Sequence, residues 1–374
     1  MRREAYAAAR TIAPKLHAYF ARHREDAIGR GQTRLASLPD AETIEAVIDT
    51  AFWASLRREE GYSPRISLAL LSPDEAQHPL LLERPLALGP GALTRVAPAM
   101  DRPGVHLGVS RTEGELAVWG TTRSIPLLCF VVEIAAPGIL VVKHHSGDKW
   151  RKFVNVAVLE GDLIKVVDEH ASETMPDCPK LLKSLLGFDS AVSWIQSVNP
   201  LVQLAVSMRA DGRGGSLLVV PAGTDAWRES IVQPIPYAVS PAFVELAHLT
   251  RDTEASHEEL GPTIAAVAGL TAVDGAVLLT DAYELLGFGA KIARRKGSPR
   301  VDQVRLSEPV EGAAPAVVST EQLGGTRHLS AAQFVHDQRD AVALVASQDG
   351  RFTVFEWSWC NEMVHAHRLD VLLL

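Results

Sequence analysis

The chain has 374 residues, 47% hydrophobic and 22% charged, with a formal net charge of −8. This composition excludes a disordered, collagenous or disulfide-rich chain, and the length suits two domains. Three scattered cysteines, Cys129, Cys178 and Cys360, form no Cys-x-x-Cys pair, which argues against a zinc site and fits a reducing, cytoplasmic compartment.

The chain opens on a helical segment expected over residues 1–60. Apolar spacing around Leu16, Tyr19 and Phe20 predicts an amphipathic helix, kinked or restarted at Pro14. Residues 1–34 hold eight Lys or Arg against Glu4, Glu25 and Asp26, so this stretch is about +5 and the remainder about −13. The cluster reads as a solvated helix face, and no nucleic acid is expected as a partner. No continuous apolar run follows the first Met, so no signal peptide is expected. A second helix is predicted to start at Asp40-Ala41-Glu42 with Asp40 as its N-cap.

From residue 61 to about 190 the pattern is β-rich. Ile66–Leu71, Gly114–Gly120, Gly138–Lys143, Asn155–Leu159 and Leu163–Val167 read as strands, the last two joined by a turn at Glu160-Gly161-Asp162. The most apolar stretch, Leu127 to Val142, is broken by Glu133 and Pro137-Gly138. It is too short to span a membrane and reads as two buried strands around a turn. A boundary is expected between 168 and 200, with a helix running to Asn199-Pro200.

Residues 191–374 alternate strand and helix. Ser216–Val220, Gly275–Leu279 and Asp340–Ser347 read as strands, with a mostly helical stretch over 240–269. Asp349-Gly350 is a hairpin turn into Phe352-Thr353-Val354-Phe355. The fold class is therefore α/β: a C-terminal mixed sheet with flanking helices, preceded by a helical segment and a β-rich domain.

Two signatures sit about fifty residues apart in this half: Ala272-Val273-Asp274-Gly275-Ala276 and Gly324-Gly325-Thr326-Arg327-His328, the second followed by the strand that ends in Ser347. Asp274 offers a hard oxygen to a divalent metal, Mg or Mn. Gly275 lets backbone come close to a ligand, or simply makes a tight turn into a strand. The second motif exposes backbone N–H groups and adds the Thr326 hydroxyl, the Arg327 fork and His328, which suits phosphate. Its structural alternative is a helix start capped by Thr326.

In order and spacing the two motifs resemble those of the diadenylate cyclase (DAC) domain, which condenses two ATP into cyclic di-AMP. The β-rich half resembles, more weakly, the DACNV-like sensor domains that precede such domains. The resemblance implies that Asp274, Arg327 and His328 are catalytic. It implies nucleotide binding by Asp274, Gly275, Ala276, Gly325, Thr326, Arg327, His328 and Ser347, and metal binding by Asp274 with Asp337. It also implies a homodimer or higher oligomer, because two facing sites must each supply one ATP. The family's second motif ends in Arg, where this chain has Leu329, expected to face the phosphates. The rival reading is a nucleotide-binding sensor without turnover.

Overall fold

The computed structural model describes residues 5–102, 104–112, 114–145, 153–171, 199–251 and 257–374. Among them are eight α-helices and two mixed β-sheets, an α/β protein with a β-rich N-terminal part. The chain divides into two compact units, Met1–Val167 and Asp168–Leu373.

The first unit is an eight-stranded sheet backed by helices. Its strands are β1 (Ser67–Leu70), β2 (Leu80–Ala87), β3 (His106–Thr112), β4 (Glu115–Thr122), β5 (Phe130–Ala136), β6 (Ile139–His145), β7 (Phe153–Glu160) and β8 (Leu163–Val166), in the order β2-β4-β3-β1-β5-β6-β7-β8. β1 runs parallel to β3 and antiparallel to β5. Helices α1 (Ala7–Gly29) and α2 (Ala41–Ser55) pack on each other and bury Ile12, Leu16, Phe20, Ile44 and Ile48 against Leu68, Phe130 and Val142 of the sheet.

Asp40 caps α2 as expected, its Oδ1 accepting the N–H of Thr43 at 2.6 Å. Pro14, by contrast, does not end α1, which runs unbroken from Ala7 to Gly29. An interior proline costs a helix about 3 kcal/mol. Burying Leu16 and Phe20 offsets it, each side chain contributing about 1.5–3 kcal/mol. The Leu127–Val142 stretch forms β5 and β6 around the turn at Pro137-Gly138, as expected.

The second unit holds a nine-stranded sheet. Its strands are β9 (Gly215–Val220), β10 (Tyr237–Phe243), β11 (Ala276–Thr280), β12 (Leu285–Ala290), β13 (Gln303–Ser307), β14 (Ala316–Ser319), β15 (Val342–Ala346), β16 (Phe352–Ser358) and β17 (Met363–Arg368), in the order β10-β12-β11-β9-β15-β16-β17-β13-β14. The central β9 is parallel to β11 and antiparallel to β15. Both are fully buried runs, as a sheet covered on both faces requires.

On one face lies the helix Thr326–Asp337, whose Phe334 and Val335 pack with Leu218, Leu278, Ala343 and Phe355. Two further helices, Pro200–Asp211 and His257–Leu270, pack on each other. The first begins where the sequence reading ended a helix: Pro200 sits in its first turn, where a missing N–H costs nothing, and the Asn199 side chain caps the N–H of Leu201 at 3.0 Å. The part of the expected linker between 172 and 198 lies outside the described residues. The stretch expected to be mostly helical over 240–269 is so: after the end of β10 it holds the short helix Glu245–Arg251 and most of His257–Leu270.

Candidate functional site

Three strands and one helix bring the two motifs together. Asp274 and Gly275 form the turn into β11, whose five residues are all buried. Ser216 begins the neighbouring β9, and Ser347 follows β15 on its other side. The N-terminus of the Thr326–Asp337 helix faces this end of the sheet. Together these elements line a cavity of about 470 Å³, shared by Asp274, Gly275, Ala276, Gly325, Thr326, Arg327, His328 and Ser347. Eight residues chosen from two separated stretches and a strand end thus border one space.

The glycines are explained by close packing. Gly275 has φ +114, and a Cβ there would collide with the backbone of Gly289 on β12. The neighbouring strand, rather than a ligand, is what demands glycine at this position. At Gly324, a Cβ would lie 2.7 Å from His328 Nδ1, so the glycine lets the imidazole tuck under the turn.

The helix start carries three polar groups. Gly325 is its N-cap and supplies no side chain, and Thr326 is the first helical residue, so the Thr326 hydroxyl does not cap the helix as the structural alternative required. Helix N-termini present N–H groups and positive dipole to anions. His328 is 3% exposed, and its Nε2 has no hydrogen-bond partner. Burial holds the His328 pKa below the ordinary histidine value; Arg368, Arg351 and Arg327 add to this and Asp349 opposes it. The imidazole is therefore neutral at neutral pH, with its Nε2 buried and unpartnered.

Among the described residues, Asp274 is the one acidic side chain lining the cavity, and its side chain is 90% exposed. Lys291, at the end of β12, donates to its Oδ2. The hydrogen bond and charge of Lys291, with a smaller contribution from Arg327, hold the Asp274 carboxyl below the ordinary aspartate value. In the sequence, Lys291 is the first of four cations in Lys291-Ile292-Ala293-Arg294-Arg295-Lys296, a run that belongs to neither motif. The structure splits that run: Lys291 lines the cavity, whereas Arg295 and Lys296 line a second space of about 680 Å³. Ser216, Ala290 and Ser330 also line the first cavity and carried no sequence signal.

Asp337 is not brought to Asp274. It lies at the other end of the Thr326–Asp337 helix and lines the second space. Its carboxylate is turned inward, with a side-chain exposure of 0%. It accepts from the Arg295 N–H at 2.8 Å, from Gln333 Nε2 at 3.0 Å and from the Ser298 hydroxyl, and it contacts His336 Nδ1 at 3.0 Å. Buried among these partners at the far end of the helix, the carboxylate is not placed to share a metal with Asp274. Leu329 is half-buried and is not among the cavity-lining residues; Ser330 is. Ser347 both lines the cavity and opens the turn, its carbonyl accepting from Gly350 N–H at 3.1 Å.

Among the described residues, no three His, Cys, Asp or Glu side chains gather as a metal cluster. A divalent cation fits here only in the manner of Mg²⁺, with one carboxylate from Asp274 and its remaining ligands from phosphate and water. The exposed hard oxygen of Asp274 beside the helix N-terminus meets that requirement.

Residues 33–123 match the family described as Probable sensor domain DACNV. That match lies within the first unit and includes α2 and β1 to β4. The curated proteins contain no match to this chain. Among solved structures, the chain is similar to a hypothetical membrane spanning protein from Bacillus cereus, at 16% identity and a TM-score of 0.29, over 50% of this chain and 71% of that one. A likeness that distant carries no argument. Among the described residues, no helix is long and apolar enough to cross a membrane.

Proposed function

We propose that residues 191–374 form a nucleotide-binding unit of the diadenylate cyclase type, which condenses two ATP into cyclic di-AMP under the control of a sensor domain over residues 61–190. The observation that carries this reading is the single cavity bordered by both motifs and Ser347. The match of residues 33–123 to a family of probable sensor domains, DACNV, supports the same reading from the other half.

In this reading the α- and β-phosphates lie against the N–H groups of Gly325, Thr326 and Arg327, with the Arg327 guanidinium as a bidentate partner. Neutral His328 packs under the Gly324 turn from a buried position. Asp274 holds Mg or Mn, which when bound lowers the charge on the phosphates. The 3′-hydroxyl of one ATP attacks the α-phosphorus of the other. A new P–O bond forms, the α–β bridging bond breaks, pyrophosphate leaves and the hydroxyl proton passes to solvent. The second bond closes in the same way from the facing site, so a homodimer or higher oligomer is required. The sensor unit sets how often the two faces meet. The protein works in the cytoplasm, where ATP is available.

The decisive experiment incubates the purified protein with ATP and Mn²⁺ or Mg²⁺ and resolves products by anion-exchange chromatography. A cyclic dinucleotide that disappears in Asp274→Asn supports the enzyme. Failure to bind ATP at all sinks the reading. One observation favours a second reading, binding without turnover: Leu329 stands where the family has a cation. Tight ATP binding with no product would establish it.

A further inference from the structure

We propose that Lys291 is an internal stand-in for the divalent cation: without nucleotide it neutralises Asp274, and when metal and nucleotide arrive it releases the carboxylate and turns to the phosphates. This rests on the nucleotide reading of the cavity and extends it to a residue that neither motif contains.

The first support is charge balance. Among the described residues, Asp274 is the one acid lining the cavity, and Lys291 and Arg327 are its long-chain cations. Lys291 already occupies the Asp274 carboxylate that a metal would need. A divalent ion on Asp274 repels the ammonium, while the incoming phosphates offer it a new anion. The exchange leaves the Asp274 carboxylate neutralised before and after binding.

The second support is how the lysine is mounted. Its backbone is fixed: the Lys291 carbonyl accepts from the Val232 N–H at 2.8 Å, and the Ala293 N–H donates to Ser230 at 2.9 Å. Further along, Asp337 holds Arg295 N–H at 2.8 Å and Gln333 holds Val301 N–H at 3.1 Å. The side chain, however, is 50% exposed, and its partner is 90% exposed. A flexible four-carbon stem on a clamped backbone can redirect its ammonium without moving the fold. The pair itself is weak, because exposed ion pairs contribute little in water. It is therefore strong enough to neutralise the carboxylate and weak enough to give way.

The test separates the two roles by sign. Mn²⁺ alone is titrated into wild type, Lys291→Met, Lys291→Arg and Asp274→Asn, with free Mn²⁺ read by electron paramagnetic resonance. A non-hydrolysable ATP analogue is then titrated by calorimetry with Mn²⁺ present. Lys291→Met should tighten Mn²⁺ about two- to fivefold, the range an exposed pair supports, and weaken the analogue roughly tenfold by loss of a charged phosphate contact. Lys291→Arg should behave as wild type in the metal titration, and Asp274→Asn should lose Mn²⁺. Unchanged or weaker Mn²⁺ binding in Lys291→Met, with analogue binding by the wild type intact, overturns the role of Lys291. A wild type that binds no analogue instead overturns the nucleotide reading, and the exchange with it.

Discussion

The carboxylate of Asp337 accepts the backbone N–H of Arg295 at 2.8 Å, across 42 positions of sequence. This bond, with those from Ser298 and Gln333, clips the segment after β12 to the C-terminal end of the Thr326–Asp337 helix. The helix and the segment both run from the motif-lined cavity to the second space. Asp337→Ala should therefore destabilise the fold by about 2–4 kcal/mol, because several buried donors lose their acceptor at once. Urea unfolding in metal-free buffer measures this. Unchanged stability there would mean that the carboxylate is not structural.

The same carboxylate predicts an acid limb of stability. Burial alone would raise the Asp337 pKa, but hydrogen bonds from Ser298, the Arg295 backbone, His336 and Gln333 outweigh it and hold the carboxyl below the ordinary aspartate value. A folded-state pKa below the unfolded one contributes stability that is fully present above about pH 4 and is lost as pH falls through the folded value. Wild type should lose stability in that window more steeply than Asp337→Asn, as read from unfolding midpoints across the acid range.

Asp274→Asn should leave the fold unchanged, since the side chain is 90% exposed. If the cyclase reading holds, product formation should fall at least about a hundredfold, a loss of roughly 2.7 kcal/mol of barrier lowering. Arg327→Ala should weaken ATP binding more than it lowers the melting temperature. The reverse pattern, a large thermal shift with intact ATP affinity, would make Arg327 a packing residue over Gly214, where its Nη1 lies.

Both motifs were legible because their meaning is local: an acid in a turn before a buried strand, and glycines before a helix. The core strands were legible too, as unbroken apolar runs bounded by Gly and Pro. β2 was not, because it is an exposed edge strand containing Pro85 and shows no alternation. The helix Pro90–Met100 was hidden by Pro90-Gly91 at its start and Pro98 inside it, which read as turn signals. The resemblance set Asp337 with the metal and left Lys291 out, because the surroundings of each are fixed by a partner 42 or 17 residues away. Of the two readings of Gly275, the tight turn into a strand is the one the backbone shows, and its glycine also answers to Gly289, which only the pairing of β11 with β12 reveals.

Gly275→Ala tests that last point. The backbone there has φ +114, and the new methyl would meet the Gly289 backbone directly. Both strain and overlap oppose the change, so a loss of about 3 kcal/mol or more is expected. Thermal melts without nucleotide check it. A stable Gly275→Ala that has lost only ATP affinity would return the glycine to the ligand.

Leu329 and Ser330 make a paired prediction. Leu329 is half-buried and does not line the cavity, whereas Ser330 does. Leu329→Arg should therefore change ATP affinity by less than about twofold, and Ser330→Arg should tighten it about fivefold or more by placing a guanidinium beside the phosphates. Calorimetric titration of both variants decides. A tightening in Leu329→Arg alone would show that the helix presents residue 329 to the nucleotide.

His328 predicts a second pH dependence, nearer neutrality. The ring is 3% exposed, its Nε2 lacks a partner, and burial keeps its pKa below the ordinary histidine value. The unfolded chain therefore takes up a proton at higher pH than the folded one does. Stability from this group is full above about pH 6.5 and is lost as pH falls through the folded value. Urea midpoints at about pH 7.5 and about pH 5.5 should drop in wild type and drop less in His328→Gln, which cannot titrate. Nucleotide should reverse part of the effect. A phosphate at the cavity favours the protonated ring, so binding should take up a proton as pH falls below neutrality, seen as a buffer-dependent heat. Equal midpoints in wild type and variant, with no buffer dependence on ATP binding, would place the imidazole in the core and out of reach of the ligand.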